Sequence, residues 1–211
     1  GRCRCYCGRW ARWADPSPAW CILGRMGILT GHEIRAAVVS ERIFIHPYDP
    51  AQVVQVSVDL HLCPRLLAYA SASGRVLDLA TYEEPDRTLD IPDGGLVLVP
   101  GMLYLGATIE TICAPTYAAI VAGKSSPARK GLRVEAAGLI EPGFSGSITL
   151  EIEVAVPLRV YAGWPIAQVR FETVEGLPEP YGERGSYQGQ SGGPVASRSH
   201  LHKRRHVGGG S

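Results

Sequence analysis

Alternation of apolar and polar residues is the feature that most constrains this chain. In the segment VQVSVDLHLC, apolar residues occupy every second position from Val54 to Leu62, and polar residues stand between them. The segment SGSITLEIEVAV repeats the pattern, with apolar residues at the even positions from Ile148 to Val156. Successive side chains of a β-strand point to opposite faces of a sheet, so both segments predict strands with one buried face.

Proline and glycine divide much of the remaining chain into short apolar runs of the same kind. The run GGLVLVPGMLYLGATIETI is interrupted at Pro100-Gly101, and PLRVYAGWPIAQVRFETV is interrupted at Gly163. The early segment TGHEIRAAVVSERI instead predicts a helix, because Thr30 and Glu33 have the spacing of a capping box. Short strands and one early helix indicate an all-β sandwich or barrel. The sequence shows neither βαβ alternation nor a Gly-rich phosphate loop at a strand–helix junction, so it does not favour a Rossmann or P-loop fold.

The two ends of the chain differ in composition from its middle. Residues 1–25 are rich in Arg, Trp and Cys, and we expect them to be a disordered or non-native extension. Residues 198–211 form a basic, Gly-terminated tail that is predicted to be disordered. Residues 26–197 are therefore predicted to form one domain.

Composition argues against several classes of protein. A formal net charge of +1 does not favour a nucleic-acid-binding protein. No apolar run reaches the roughly 18 residues of a membrane span, and we expect a cytoplasmic protein without membrane association. Four of the six cysteines lie in the first 21 residues, where the CRCYC cluster lacks a second ligand pair for zinc.

Two short segments carry groups suited to chemistry. In GKSSPARKGL, the cations Lys124 and Arg129 accompany Ser125 and Ser126, groups that bind phosphate but also occur in ordinary loops. In EPGFSGSITLEIE, Glu151 and Glu153 fall on the polar face of the predicted strand, facing either solvent or a pocket.

The third carboxylate of that segment, Glu141, precedes the turn Pro142-Gly143, where it can accept backbone N–H groups. Periodicity alone does not choose among these three carboxylates. Elsewhere, Asp59 is expected to fix strand packing, and His61 is expected to lie on the surface. Tyr187 is either a lid residue or a packed aromatic.

Four motifs in order resemble the superfamily of dCTP deaminases and trimeric dUTPases. They are GKSSPARKGL at 123–132, AGLIEPGFSGSITLE at 137–151, IAQ at 166–168 and YQGQSGGP at 187–194. The strand around Asp59 also resembles the family, and the likeness covers about residues 26–197. The ending SYQGQSGGPVASR favours the deaminase branch. The resemblance implies a distorted β jelly roll, assembled as a homotrimer with active sites at subunit interfaces.

The same resemblance implies the chemistry. It implies hydrolytic deamination of dCTP to dUTP and ammonia, with Glu151 as the catalytic base and with Ser125 and Arg129 orienting it and the water. Mg²⁺ is expected with the triphosphate, and dTTP is expected as an inhibitor. Zinc is not expected, since the chain lacks the H-x-E and P-C-x-x-C motifs of zinc deaminases. The implied nucleotide contacts are Lys124, Ser125, Ser126, Arg129, Glu141, Thr149, Leu150, Glu151, Gln168, Tyr181 and Gln190.

Two alternatives stay open. Glu141 stands where the family usually has aspartate, and an acid there could activate the water that attacks phosphorus. The protein would then be bifunctional and release dUMP and pyrophosphate. The other alternative is a non-catalytic trimer that binds nucleotides.

Overall fold

A computed structural model of the protein describes residues 27–70, 76–136, 139–179, 181–182 and 185–198. The predicted extension at residues 1–25 and the tail beyond Arg198 lie outside these ranges. Helices α1 and α2 cover Gly31–Val39 and Ser125–Ala128, and a 3-10 turn covers Pro50–Gln52. Strands β1 to β12 cover Phe44–His46, Val58–His61, Arg65–Ala70, Arg87–Asp90, Leu96–Leu98, Met102–Cys113, Tyr117–Gly123, Leu132–Glu135, Leu139–Ile140, Ser145–Val154, Leu158–Val160 and Pro165–Thr173.

Two antiparallel sheets form the fold. The larger has the strand order β4-β3-β6-β10-β8, with β1 also paired to β6, and the smaller has the order β2-β12-β7-β9. Strands β11 and β5 form a separate ribbon. Every pairing among the described strands is antiparallel. The all-β prediction is therefore confirmed, and neither described helix has the length or apolarity to cross a membrane.

The core lies between the inner faces of the two sheets. The smaller sheet contributes Leu60 and Phe171, and the larger contributes Leu66, Leu150 and Ile152, all of them essentially inaccessible to solvent. Removing this apolar surface from water is the main favourable term in folding. The alternation in the sequence fixes which side chains reach this core, and it leaves the intervening polar residues on the outer faces.

Helix α1 begins as its sequence predicts. The Thr30 hydroxyl accepts the backbone N–H of Glu33, and the Glu33 carboxylate accepts the backbone N–H of Thr30. This capping box satisfies N–H groups that the first helical turn leaves without intrahelical partners. Ile34 and Ala37 are fully buried, so the apolar face of the helix packs on the core.

Two ends of the predicted strands are wrong. Val56 is 45% exposed, because the chain turns through a hydrogen bond from Val54 N–H to Ser57 O (2.9 Å) before β2 begins at Val58. Val156 is 52% exposed, because β10 has ended two residues before it. In both cases the alternation in the sequence extends beyond the end of the paired strand.

Candidate functional site

Glu151 lies on β10, an interior strand of the larger sheet. It is directly opposite Leu105 of β6 on one side and Glu135 of β8 on the other. Its neighbours in the chain, Leu150 and Ile152, point into the core and are fully buried. Glu151 therefore belongs to the outer face of the sheet and is half-buried there, whereas Glu153 is exposed at the same face.

A β-bulge or irregularity interrupts the pairing of β10 with β6 just before Glu151. The register with β6 shifts between Ser147 and Thr149, and the backbone N–H of Ile148 donates to the Thr108 hydroxyl (2.9 Å) instead of to a strand carbonyl. Bulges commonly redirect side chains beside functional sites. Here Ile148 both packs in the core cluster and contacts the same cavity as Thr149 and Glu151.

The outer face around Glu151 forms one wall of a cavity of about 590 Å³. This volume is within the range of about 300–1,000 Å³ typical of small-molecule sites. The sheet contributes Tyr69, Leu103 and Leu105, and the segment before β4 adds Leu77 and Leu79. The wall beside Glu151 is therefore largely apolar.

Burial alters the chemistry of the Glu151 carboxyl. Its Oε2 atom is inaccessible to solvent and has no hydrogen-bond partner among the described residues. Desolvation raises the pKa of Glu151 above its usual 4.5, a backbone hydrogen bond opposes this rise, and the nearby charge of Glu135 adds to it. A carboxyl with a raised pKa can both take up and return a proton closer to neutral pH.

The C-terminal segment closes the polar side of the cavity. The Gln190 amide nitrogen donates to Ser147 O and to the Thr149 hydroxyl (3.2 Å for the latter), and Ser147 N–H donates to Gln190 O (3.0 Å). A Cβ at Gly146 would lie 3.0 Å from Gln190 O, so any side chain there would press on this segment. Gln190 is buried, and its Oε1 atom has no partner in the described part of the chain.

The turn before β10 brings two further predicted residues to the cavity, Glu141 and Tyr181. The turn is closed by a hydrogen bond from Phe144 N–H to the backbone carbonyl of Glu141 (3.2 Å), rather than to its carboxylate. Tyr181 packs edge-on against Phe144, with ring centroids 5.5 Å apart. The exposed Glu141 carboxylate therefore stays available on the cavity wall.

The remaining predicted residues form a separate group, which we call the basic patch: Lys124, Ser125, Ser126, Arg129 and Gln168. None of these residues lines the cavity of Glu151. The first four belong to α2 or flank it, and Ser125, Ser126 and Arg129 are exposed. The structure thus places the acidic and basic halves of the predicted site apart in one copy of the chain.

The basic patch is anchored on the smaller sheet. The Lys124 ammonium forms an ion pair with Asp59 of β2. Gln168 of β12 is opposite Asp59 and accepts a hydrogen bond from the Ser57 hydroxyl (3.3 Å). Asp59 therefore orients a predicted phosphate-binding lysine in addition to its expected role in strand packing.

Some contacts escaped sequence reasoning. His61 is not a free surface residue, since its Nδ1 lies 2.6 Å from Glu110, a carboxylate that is only 1% exposed. Tyr187 is a packed aromatic: it packs against the core cluster, it lines the cavity, and its hydroxyl accepts the backbone N–H of Arg198 (3.0 Å). Glu135 was missed because its position opposite Glu151 depends on strand pairing, which a single sequence does not display.

Comparison with known proteins gives a consistent result. A dCTP deaminase-like family model matches residues 28–174. A protein of Pseudarthrobacter chlorophenolicus is 38% identical over 189 residues, covering 84% of this chain and 98% of its own. A Leptospira biflexa protein is 43% identical over 166 residues, covering 78% and 92%. Both relatives are named dCTP deaminase, dUMP-forming.

A solved structure shows the same fold. The 2'-deoxycytidine 5'-triphosphate deaminase from Agrobacterium tumefaciens matches with a TM-score of 0.56 at 23% sequence identity. The match covers 71% of this chain and 49% of that one, so the chain corresponds to about half the length of that protein. The predicted dUTPase-like fold is thereby confirmed.

Replacing Glu151 by Gln should stabilise the fold at neutral pH. Because the folded-state pKa of Glu151 is raised, the folded protein binds the proton more tightly, and stability falls as pH rises from the usual Glu pKa through the raised one. The Glu151→Gln variant lacks this loss, so its free energy of unfolding at pH 7 should exceed that of the wild type by at most about 1.4 kcal/mol for each pH unit by which the pKa is raised, since solvent screens a half-buried charge.

Denaturant unfolding at pH 7 and pH 4, at one fixed protein concentration, measures this difference. The difference in the free energy of unfolding between the variant and the wild type should shrink at pH 4, where the wild-type carboxyl is largely protonated. Glu153→Gln is the matched control and should show no such gap, because Glu153 is exposed. A Glu151→Gln variant that is less stable than the wild type at pH 7 would contradict the assignment.

Proposed function

This protein belongs to the dCTP deaminase-like family, and we propose that it catalyses the hydrolytic deamination of dCTP. The observation that carries the proposal is the position of Glu151. Its half-buried side chain lines a cavity of nucleotide-sized volume, and one of its carboxyl oxygens is inaccessible to solvent and has no hydrogen-bond partner among the described residues. Such a group is suited to proton transfer at a ligand.

The proposed chemistry uses Glu151 as both a base and an acid. It takes one proton from the water whose oxygen forms a bond to C4 of cytosine, and it passes that proton to N3. It then takes the second proton of the former water from the C4 hydroxyl and gives it to the exocyclic amine, which leaves as ammonia when the C4–N bond breaks. The amine offers two N–H donors, and Glu151 Oε2 and Gln190 Oε1 are two acceptors that have no partner among the described residues. Thr149 and Leu150 flank the base through their backbone.

We propose dUMP as the final product. The relatives are named dUMP-forming, which disagrees with dUTP as the end product and favours the bifunctional alternative. In the second step, a water attacks the phosphorus nearest the sugar, and pyrophosphate leaves. Glu141 is proposed to activate this water, since its carboxylate is exposed on the same cavity wall.

Charge separation supports a site shared between copies of the chain. The described cavity residues include the acids Asp78, Glu83, Glu141 and Glu151, but no lysine or arginine. A triphosphate needs cations, and those of the basic patch lie outside the cavity of their own copy. We therefore propose a homotrimer in which a neighbouring copy supplies Lys124, Ser125, Ser126 and Arg129 to the phosphates, together with Gln168.

Mg²⁺ is proposed to enter with the triphosphate. Among the described residues, no group of three histidine, cysteine, aspartate or glutamate side chains could hold a metal ion. This fits Mg²⁺, which usually keeps water ligands and binds through substrate phosphates and one or two carboxylates. Glu141 is the carboxylate best placed to join it. When bound, the ion would offset charge on the phosphates.

We propose that dTTP competes with dCTP for the same site, since it shares the pyrimidine and the triphosphate.

Product analysis tests the main proposal. Wild-type protein with dCTP and Mg²⁺ should release ammonia, dUMP and pyrophosphate. Glu151→Gln should reduce ammonia release by about 10²–10⁴-fold, the range expected for a lost general base, while calorimetry still detects dCTP binding.

Glu153→Gln should change turnover only slightly, because its side chain is exposed. Near-normal turnover by Glu151→Gln would overturn the role of Glu151. Binding without turnover by the wild type would instead favour the non-catalytic trimer.

Glu141→Gln tests the second step separately. Ammonia should still be released, but dUTP should accumulate in place of dUMP, because the amide cannot take a proton from water. Glu141→Asp restores the carboxylate and should restore dUMP formation at least in part. Chromatography of the nucleotides measures both outcomes. Unchanged dUMP formation by Glu141→Gln would assign that water to another base.

Subunit mixing tests the shared site. Arg129→Ala and Glu151→Gln should each be inactive alone. In randomly mixed trimers, an intact Glu151 should meet an intact Arg129 from a neighbouring copy at about one site in four, so about a quarter of wild-type activity should return. If both residues served a site within one copy, mixing would restore nothing.

A further inference from the structure

Strands β8 and β10 place four charged residues on the outer face of the larger sheet. Glu151 is directly opposite Glu135, and Glu153 is directly opposite Arg133. The alternating residues Leu132 and Val134 of β8 are buried in the core. Directly opposite residues have Cβ atoms about 4.5–5.5 Å apart, so each pair is within range of a strong side-chain interaction.

One of these two pairs is unfavourable for the fold. Glu153 has an opposite charge across from it, whereas Glu151 has a like charge, and like charges directly opposite in a sheet are destabilising. Arg133, whose positive charge would offset the negative charge of Glu151, lies two residues before Glu135 on the same face of β8. Violations of such local rules are expected at functional sites.

The two members of the like-charged pair differ in exposure. Glu135 is exposed to water, whereas Glu151 is half-buried and has an oxygen without a partner. Repulsion between two carboxylates favours protonation of the less hydrated one. The effect of the Glu135 charge therefore falls on Glu151, and it adds to the effect of burial on the Glu151 pKa.

Other groups around Glu151 do not replace Glu135. Strand β6 presents Leu103 and Leu105 there, which are apolar. Among the described residues, Glu135 is the acid directly across a strand pairing from Glu151. In the described part of the chain, other titratable or charged groups on neighbouring elements include Arg133 of β8, Glu153 of β10, Tyr69 of β3, Asp78 and Glu83 before β4, Glu141, Tyr181, Tyr187 and Arg198.

We propose that Glu135 is a positioning residue that acts through Glu151, its negative charge keeping the Glu151 carboxyl ready to bind and return a proton. The inference rests on the proposed deamination. That reaction requires one carboxyl to remove the two protons of the attacking water one at a time, and to hold each until N3 or the amine accepts it. A neighbouring negative charge strengthens Glu151 as a base and retains the proton for the second role.

A charge series at position 135 tests the proposal. The acid limb of the pH profile of kcat/KM reports the pKa of the essential base in the free enzyme. Removing the negative charge lowers that pKa, so the acid limb of Glu135→Gln should move to lower pH. Glu135→Lys should move it further in the same direction. An acid limb that stays in place in both variants would overturn the proposal.

Two variants control for general charge effects. Arg133→Glu combined with Glu135→Arg keeps the net charge but puts the cation opposite Glu151, and its acid limb should also move to lower pH. Glu153→Gln removes a carboxylate from the same face at a greater distance from Glu151 and should move the limb less than Glu135→Gln does. Equal shifts of the acid limb in Glu153→Gln and Glu135→Gln would mean that Glu135 acts only through the overall charge of the face, and this would overturn its assigned role.

A direct titration separates this inference from the proposed function. Protein labelled with carboxyl-¹³C glutamate gives a Glu151 resonance, identified by its absence in Glu151→Gln. The titration midpoint of this resonance should be lower in Glu135→Gln than in the wild type, whether or not dCTP is turned over. An unchanged midpoint would refute the influence of Glu135. Absence of deamination by the wild type would refute the proposed function without affecting this titration.

Discussion

The pairing of β10 between β6 and β8 is the constraint on which the site depends. Antiparallel pairing on both sides fixes the direction of every side chain of the strand. Leu150 and Ile152 must enter the core, so Glu151 between them must face outward. The same pairing sets Leu105 and Glu135 beside it, one apolar and one charged. The position of the acid is therefore a by-product of packing the core.

The molecule separates two kinds of chemistry that a nucleotide requires. One cavity is acidic and largely apolar, which suits proton transfer at a base ring. The basic patch, on the smaller sheet and α2, has the cations and hydroxyls that suit phosphate. In the proposed trimer, an Arg129 that reaches Glu151 only through assembly would leave the isolated chain without a complete site.

Much of the fold could be predicted from local patterns, because alternation and turn residues act over a few positions. The capping box of α1 and the break at Pro100-Gly101 are of this kind, and both are present. What could not be predicted depends on partners that are distant in sequence. The bulge at Ile148 follows from a hydrogen bond to Thr108, and the burial of Glu110 follows from its contact with His61.

The same distinction applies to the site. Periodicity placed Glu151 and Glu153 on one face of the strand but gave no reason to choose either as the functional acid. Their difference in burial arises because Glu151, unlike Glu153, lines the cavity above the sheet. The motif resemblance singled out Glu151, and it named the residues of the basic patch as well. Neither approach could find Glu135, because the register of β8 with β10 is set by the packing of Leu132 and Val134.

The hydrogen bonds between Gln190 and Ser147 have a consequence for biosynthesis. The two residues are 43 positions apart, so β10 is synthesised well before its covering segment. At translation rates of about 5–20 residues per second, this interval is about 2–9 s. During that time Gly146 and the wall beside Glu151 are uncovered, and the cavity takes its final shape only after nearly all of the described chain has been synthesised. The wall beside Glu151 is thus completed by one of the last described segments to be synthesised.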